Sequence, residues 1–267
     1  MSVKVLMVGD VIGEPGRRAL ARRLRELIDR HAVDYTVVNV ENMAGGFGVT
    51  GPTCREVLDL GADVLTSGNH IWDKREVLEV LPGEPRLLRP YNYPPDCPGA
   101  GLHFGASRSG ARVAVLNLQG RAFLPAIDCP FRAADRALQE IAGRADLILV
   151  DMHAEATSEK VAMGWYLDGK VAAVVGTHTH IPTADERVLP GGTAYVTDLG
   201  MTGPYDSVIG VEKEIILRRF LTAMPAKFET AKHDPRLCGA LITVDPGTGR
   251  ALAIERVMLA AGPGAAG

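Results

Sequence analysis

A chain of 267 residues is long enough to bury a sizeable core, and 46% hydrophobic with 23% charged residues is ordinary for a soluble globular protein. A net charge of −3 leaves no basic footprint for duplex nucleic acid, and no stretch approaches the ~18 uninterrupted apolar residues of a membrane span. The four cysteines, Cys54, Cys97, Cys129 and Cys238, are scattered without CxxC pairing, which argues against a zinc ribbon or a disulfide framework and for reduced thiols in the cytoplasm.

The N-terminal "VKVLMVGD" reads as a buried first strand, too short and too soon acidic for a signal peptide. Pro15 to His31 follows as a helix, with Leu20, Leu24, Leu27 and Ile28 on one face and arginines on the other. "YTVVNVEN" is the second strand, followed by the glycine-rich "MAGGFGVTG" and a helix from about Pro52 to Leu60. "ADVLTSGNH" is a third strand with a polar end, and a short helix is expected near Asp73 to Leu81. "GLHFGAS" and "ARVAVLNLQG", split by "RSG", form a β-hairpin. A helix near Phe131 to Ala142 leads to the strand "ADLILVDMH". A helix near Ser158 to Asp168 then leads to "KVAAVVGTHTH", taken as extended to its last histidine. "TAYVTDLGM" is a further strand, and "GALITVDPGTGRALAIERVML" is a hairpin with a "PGTG" turn. Leu199 to Lys232 carries no clear pattern. No linker divides the chain, so residues 1–267 are expected to form one α/β domain with a mixed β-sheet core flanked by helices.

Five strand ends carry a group able to hold metal or phosphate: Asp10, then Glu41 with Asn42, Asn69 with His70, His153, and His178 with His180. Ligands gather at the carboxyl ends of strands in α/β sheets, because the loops leaving there share a crevice. Each residue alone is better explained as a cap or a satisfied polar group; the coincidence of five such ends points to a site. Two metals can clamp the attacking and leaving oxygens of phosphoryl transfer, and Glu41 is the candidate bridging carboxylate. Imidazole and carboxylate donors suit iron, manganese, zinc or cobalt. In an extended segment His178 and His180 would face one side, within reach of two neighbouring metals.

"GD", an acid-bearing loop, "GNH", an isolated histidine and "GTHTH" occur in the order that resembles the calcineurin-like metallophosphoesterase superfamily. "VENMAGGFGVTG", "TSGNHIWDK", "DMHAEATSEK", "GTHTHIPTAD" and "TDLGMTGPYDSVIG" are similar to its bacterial YmdB-type branch, and the likeness runs from Lys4 almost to the end. Two positions depart from the wider superfamily and match the branch: Ile12 stands where a histidine is usual, and Glu41-Asn42 where an aspartate is usual. The resemblance implies a calcineurin-like sandwich and a 2′,3′-cyclic nucleotide phosphodiesterase. It implies Asp10, Glu41, Asn42 and His180 around one metal, and Glu41, Asn69, His153 and His178 around a second. The expected cofactors are two metal ions, iron first and manganese as a substitute. A hydroxide between them would attack in line, and His70 would protonate the leaving group.

The softer assignments are few. The "AGGFG" glycines serve either a close substrate approach or a turn, and Phe47 or Trp72 either stacks on a base or packs. Lys160 either contacts phosphate or, as favoured here, belongs with Glu159 to the solvated first turn of a helix, and Arg121 is a phosphate or interface arginine with nothing local to decide between them. A homo-oligomer, dimeric by base rate, and a small phosphodiester substrate complete the expectations. The alternatives are a phosphomonoesterase, such as a nucleotidase or protein phosphatase, and a regulatory scaffold with a structural metal centre.

Overall fold

A computed structural model describes residues 2–262. Two six-stranded sheets stack face to face, each covered on its outer side by helices. The first sheet is built from β1 (Val3–Val8), β2 (Tyr35–Asn39), β3 (Val64–Thr66), the two-residue β10 (Gly203–Pro204), β11 (Pro235–Asp245) and β12 (Arg250–Ala260). Its order is β10-β11-β1-β2-β3, with β12 pairing along β11. β1, β2 and β3 run parallel, while β11 is antiparallel to β1. The second sheet comprises β4 (Leu102–Ala106), β5 (Arg112–Gln119), β6 (Leu147–His153), β7 (Ala173–Thr177), β8 (Arg187–Val188) and β9 (Ala194–Val196), in the order β4-β5-β6-β7-β9-β8. Its central β5, β6, β7 and β9 are parallel.

Period-2 alternation decides which side chains meet. Val5, Met7, Val37, Val64, Ala240 and Ile242 of the first sheet pack against Val113, Val115, Leu149, Val175 and Val196 of the second, forming the central core. The alternate residues face outward. Leu6, Val8 and Val38 meet Leu20, Leu24, Leu27 and Ile28 of α1 (Gly13–His31) and Cys54 and Val57 of α2 (Gly51–Asp59). Leu116, Leu118, Val150 and Met152 meet Ala133, Ala134 and Ala137 of α4 (Pro130–Ile141) and Met163 and Leu167 of α5 (Thr157–Leu167). The layers are therefore helix, sheet, sheet, helix, as a phosphoesterase sandwich requires.

Several expected elements are shorter or different. The short helix expected near Asp73 to Leu81 forms only as the single-turn α3 (Val77–Val80), preceded by a 3₁₀ turn, Asn69–Trp72. The strand expected through His180 stops at Thr177, and "TAYVTDLGM" pairs only over Ala194–Val196. The unpatterned Leu199 to Lys232 supplies β10 and α6 (Lys213–Thr222), which buries Ile216 and leaves Leu217, Phe220 and Leu221 exposed. Both expected hairpins form, β4 with β5 and β11 with β12. All four cysteines are free, and no helix among the described residues is long and apolar enough to cross a membrane.

Candidate metal centre

The carboxyl ends of β1, β2 and β3 in one sheet and of β6 and β7 in the other point to one place. Asp10, Glu41, Asn42 and His153 are all buried there, and His178 and His180 are partly exposed. Two triads form: Glu41, His153 and His178, and Asp10, Glu41 and His180, the ligand atoms within each lying within 4.8 Å of one another. Glu41 is common to both. Asn69 and Asn42 extend them, Asn69 Oδ1 lying 3.2 Å from His153 Nε2 and Asn42 Nδ2 3.2 Å from His180 Nε2.

Around His153 Nε2, His178 Nδ1 sits at 3.0 Å, Glu41 Oε2 at 3.1 Å and Asn69 Oδ1 at 3.2 Å. Three electron-rich atoms crowd one point, which calls for a proton on one of the imidazoles or a metal between them. The charge states agree. Burial opposes charge on His153, but Glu41, Asp10 and Asp151 outweigh it and push the imidazole up to about 9. Burial and the neighbouring His153 push His178 down to about 3, so it is neutral. Burial alone would raise Glu41, yet His153, His70 and His178 hold it well below the usual carboxylate range. Asp10 is pushed up to about 6 by burial, partly offset by His180 and His153. Asp10 Oδ1 and Asn42 Oδ1 are buried without a hydrogen-bond partner among the described residues. Orphaned oxygens on two residues of this cluster fit a metal site, since buried polar atoms are otherwise satisfied. Asn42 Nδ2 instead faces two acceptors, Glu41 Oε1 at 2.8 Å and His180 Nε2; a half-turn of the amide presents oxygen to the same point.

The loop after β7 corrects the sequence reading. His178 and His180 are not extended: their φ angles are +97° and +66°, in the left-handed region that non-glycine residues rarely adopt. They reach different triads because the backbone turns, and not because they share a face. The turn is held by Asp198, which accepts from Thr179 N at 3.1 Å, Thr179 Oγ1 at 2.8 Å and Gly200 N at 2.8 Å. Lys160 is not a solvated helix residue either. It is fully buried, and its Nζ lies 2.6 Å from Asp198 Oδ2. Strain at this loop is thus fixed by a buried ion pair reaching out of α5.

A set of supporting contacts was not visible in the sequence. His153 Nδ1 donates to Thr177 Oγ1 at 2.9 Å, and Thr177 Oγ1 donates to Asp151 Oδ1 at 2.7 Å. Asp151 also accepts from Thr66 Oγ1 at 2.5 Å and Asn39 Nδ2 at 3.0 Å. This chain fixes the tautomer that leaves His153 Nε2 free for a ligand. His178 Nε2 meets Glu155 at 3.0 Å, and His180 Nδ1 donates to the Ile209 carbonyl at 2.8 Å. The available signal was modest: Asp151 precedes His153 by two residues and so shares its face of β6.

His70 belongs to neither triad. Its backbone N–H donates to Glu41 Oε2 at 3.3 Å, and its partly exposed ring is held by Asp73 at 2.8 Å from Nδ1. Gly68 allows this turn to come so close, because a Cβ there would lie 2.1 Å from the His153 ring and 2.5 Å from Glu41. Phe47 sits beside His70, ring centroids 4.9 Å apart, while Trp72 packs edge-on against Tyr93. In "AGGFG", Gly45, Gly46 and Gly48 all take positive φ, which the turn requires. Arg121 presents only its backbone N–H, to Glu159. His31, His103 and His233 lie outside both triads.

The profile of the YmdB-like proteins matches residues 6–257. A 2′,3′-cyclic-nucleotide 2′-phosphodiesterase of Bacillus subtilis (strain 168) is 46% identical over 257 residues, covering 96% of this chain and 97% of that protein. A crystal structure of a protein from Thermus thermophilus superposes with a TM-score of 0.90 at 43% identity, over 97% of this chain and 99% of the other. A phosphatase from Mycoplasma pneumoniae superposes with a TM-score of 0.91 at 33% identity, over 97% and 94%. The chain is a member of the YmdB-like family of phosphoesterases.

Proposed function

We propose that this protein hydrolyses 2′,3′-cyclic nucleotides at a dinuclear metal centre. The observation that carries this reading is the pair of triads sharing Glu41, with His70 beside them but in neither. Asp10, Glu41, Asn42 and His180 would hold one ion. Glu41, Asn69, His153 and His178 would hold the other. When bound, the two ions supply charge neutralisation at the phosphoryl oxygens and a nucleophile usable near neutral pH. The mixed imidazole, carboxylate and amide donors suit iron, manganese, zinc or cobalt, and the resemblance to the YmdB-type branch points to iron, with manganese as a substitute.

The chain's own residues do the rest. Thr177 and Asp151 hold the His153 ring, and Asp198 with Lys160 holds the loop of His178 and His180. Asp73 fixes His70 through Nδ1, so Nε2 is the nitrogen that faces a bound ester and passes a proton to the departing ribose oxygen. Histidine suits that task because its ordinary titration range lies near neutral pH. The Bacillus subtilis relative is named for opening the 2′ bond, and the same bond is the one proposed here. The setting is the cytoplasm and the substrate a small nucleotide.

The test compares metal-loaded protein on 2′,3′-cyclic AMP, nucleoside monophosphates and phosphoserine peptides, with elemental analysis of the same preparation. The expected result is about two metals per chain and the highest kcat/KM on the cyclic diester. Faster turnover of the monoesters overturns the diesterase assignment in favour of a phosphomonoesterase.

A further inference from the structure

A cavity of about 430 Å³ shares no lining residue with the two triads. Its size falls in the range of small-molecule sites. Arg89, Tyr91 and Tyr93 line its wall, and Asp128, Arg136 and Glu140 stand exposed at its mouth. The wall is tightly built. Arg89 N–H donates to the Ala100 carbonyl at 3.0 Å and Tyr91 N–H to the Asn117 carbonyl at 2.7 Å. A Cβ on Gly101 would lie 2.2 Å from the Tyr91 Cα.

The charges at the mouth are matched. Arg136 pairs with Asp128 at 3.3 Å, and Glu140 accepts from the Tyr91 hydroxyl at 3.2 Å. Arg89 is different. It is only 6% exposed, and its guanidinium meets two neutral carbonyls, Pro90 O at 2.9 Å and Cys97 O at 3.4 Å. Its Nε has no hydrogen-bond partner among the described residues. Burial draws its pKa below the ordinary arginine value, and none of the groups acting on it is a carboxylate. A buried cation without an anion is among the least favourable arrangements a fold can carry, so an anion delivered from solution would complete it. A guanidinium fork matches the oxygens of a phosphate, and two tyrosine rings suit a nucleoside beside it.

We propose that this cavity is a second anion site, taking the phosphate of a nucleoside monophosphate on Arg89 with the nucleoside against Tyr91 and Tyr93. The nucleotide class rests on the proposed reaction, whose product is such a monoester; the phosphate site itself does not. Tyr93 also packs edge-on against Trp72 at 5.5 Å, and Trp72 closes the turn that Asn69 and His70 open.

The test is crystallographic. Crystals of the metal-loaded protein are soaked with sodium tungstate, a phosphate mimic with an anomalous signal, and separately with adenosine 3′-monophosphate. The expected result is tungsten, and in the second soak the ester phosphate, hydrogen-bonded to Arg89. Arg89→Gln is expected to remove that density, keep any at the metal centre, and weaken adenosine 3′-monophosphate binding to this site at least about tenfold in calorimetry. An empty cavity in wild-type crystals overturns the proposal, as does density that persists in Arg89→Gln. The wild-type soak decides even if that variant does not fold. Failure of cyclic-nucleotide hydrolysis leaves this readout intact, so the two readings fail separately.

Discussion

The buried pair Lys160–Asp198 gives the sharpest test of how the histidine loop is held. Both side chains are 1% exposed and 2.6 Å apart, so neither is screened by solvent. Substituting Lys160→Met removes the cation and keeps most of the apolar stem. Deleting one partner of a buried pair costs about 3–5 kcal/mol, because the other charge is left uncompensated. Asp198 keeps three donors, Thr179 N, Thr179 Oγ1 and Gly200 N, which places the expected loss near the lower end, about 3 kcal/mol. At about 2–4 °C per kcal/mol for a chain near this size, the melting temperature falls by about 6–12 °C. Asp198→Asn strands the buried ammonium instead and is expected to cost more. Because Asp198 fixes the left-handed turn between His178 and His180, metal affinity should fall about 10–100-fold as well. The assays are urea unfolding of metal-free protein and equilibrium dialysis of the reloaded protein. A stability loss below about 1 kcal/mol with unchanged metal affinity would refute the argument, since it would show the pair is neither desolvated nor needed for the loop.

Three other outcomes are expected. Thr177→Val breaks the link from His153 Nδ1 to Asp151 and should lower metal affinity about 10–100-fold, measured by competition with a chelator, with about 1–3 kcal/mol lost in urea unfolding. His70→Asn should lower kcat about 10²–10⁴-fold in steady-state assays while elemental analysis shows an unchanged metal content. His153, pushed up to about 9, holds a proton at neutral pH when no metal is bound. Its raised value contributes stability to the metal-free protein that is complete below about pH 6.5 and fades as pH rises through about 9. Metal loading must expel that proton, so calorimetry in buffers of different ionisation enthalpy should show about one proton released near pH 7.5 and nearly none well above pH 9.

Most strands of the fold could be read in the chain because each is a short apolar run that ends at a polar residue, and that is also where Asp10, Glu41, Asn69 and His153 stand. What could not be read depends on residues far apart. Nothing near "GTHTH" shows that its backbone turns back, because the anchor, Asp198, lies 19 residues beyond Thr179 and meets Lys160 from 38 residues away. Lys160 itself sits in "TSEK", where helix-start composition favours solvent, and only packing of α5 on β7 buries it. α6 was legible in principle, since Ile216, Leu217, Phe220 and Leu221 recur at i, i+1, i+4 and i+5 on one helical face, although only Ile216 of the four is buried.

One alternation builds both the core and the site. On β6, Leu149 fills the space between the sheets, Asp151 takes the Thr66, Thr177 and Asn39 bonds, and His153 reaches the triad, each two residues further along one face. β2 repeats the order with Val37, Asn39 and Glu41 (the last just past the strand), and β7 with Val175 and Thr177. The inner faces therefore change from apolar to polar at the same level in both sheets. Glu41 from one sheet then meets His153 from the other at 3.1 Å with no element between them. A slip of one residue in any of these strands would turn its ligand to the outer face along with its core residues. The register that buries the valines is the register that gathers the donors, so packing of the sandwich and assembly of the two triads depend on the same strand pairing.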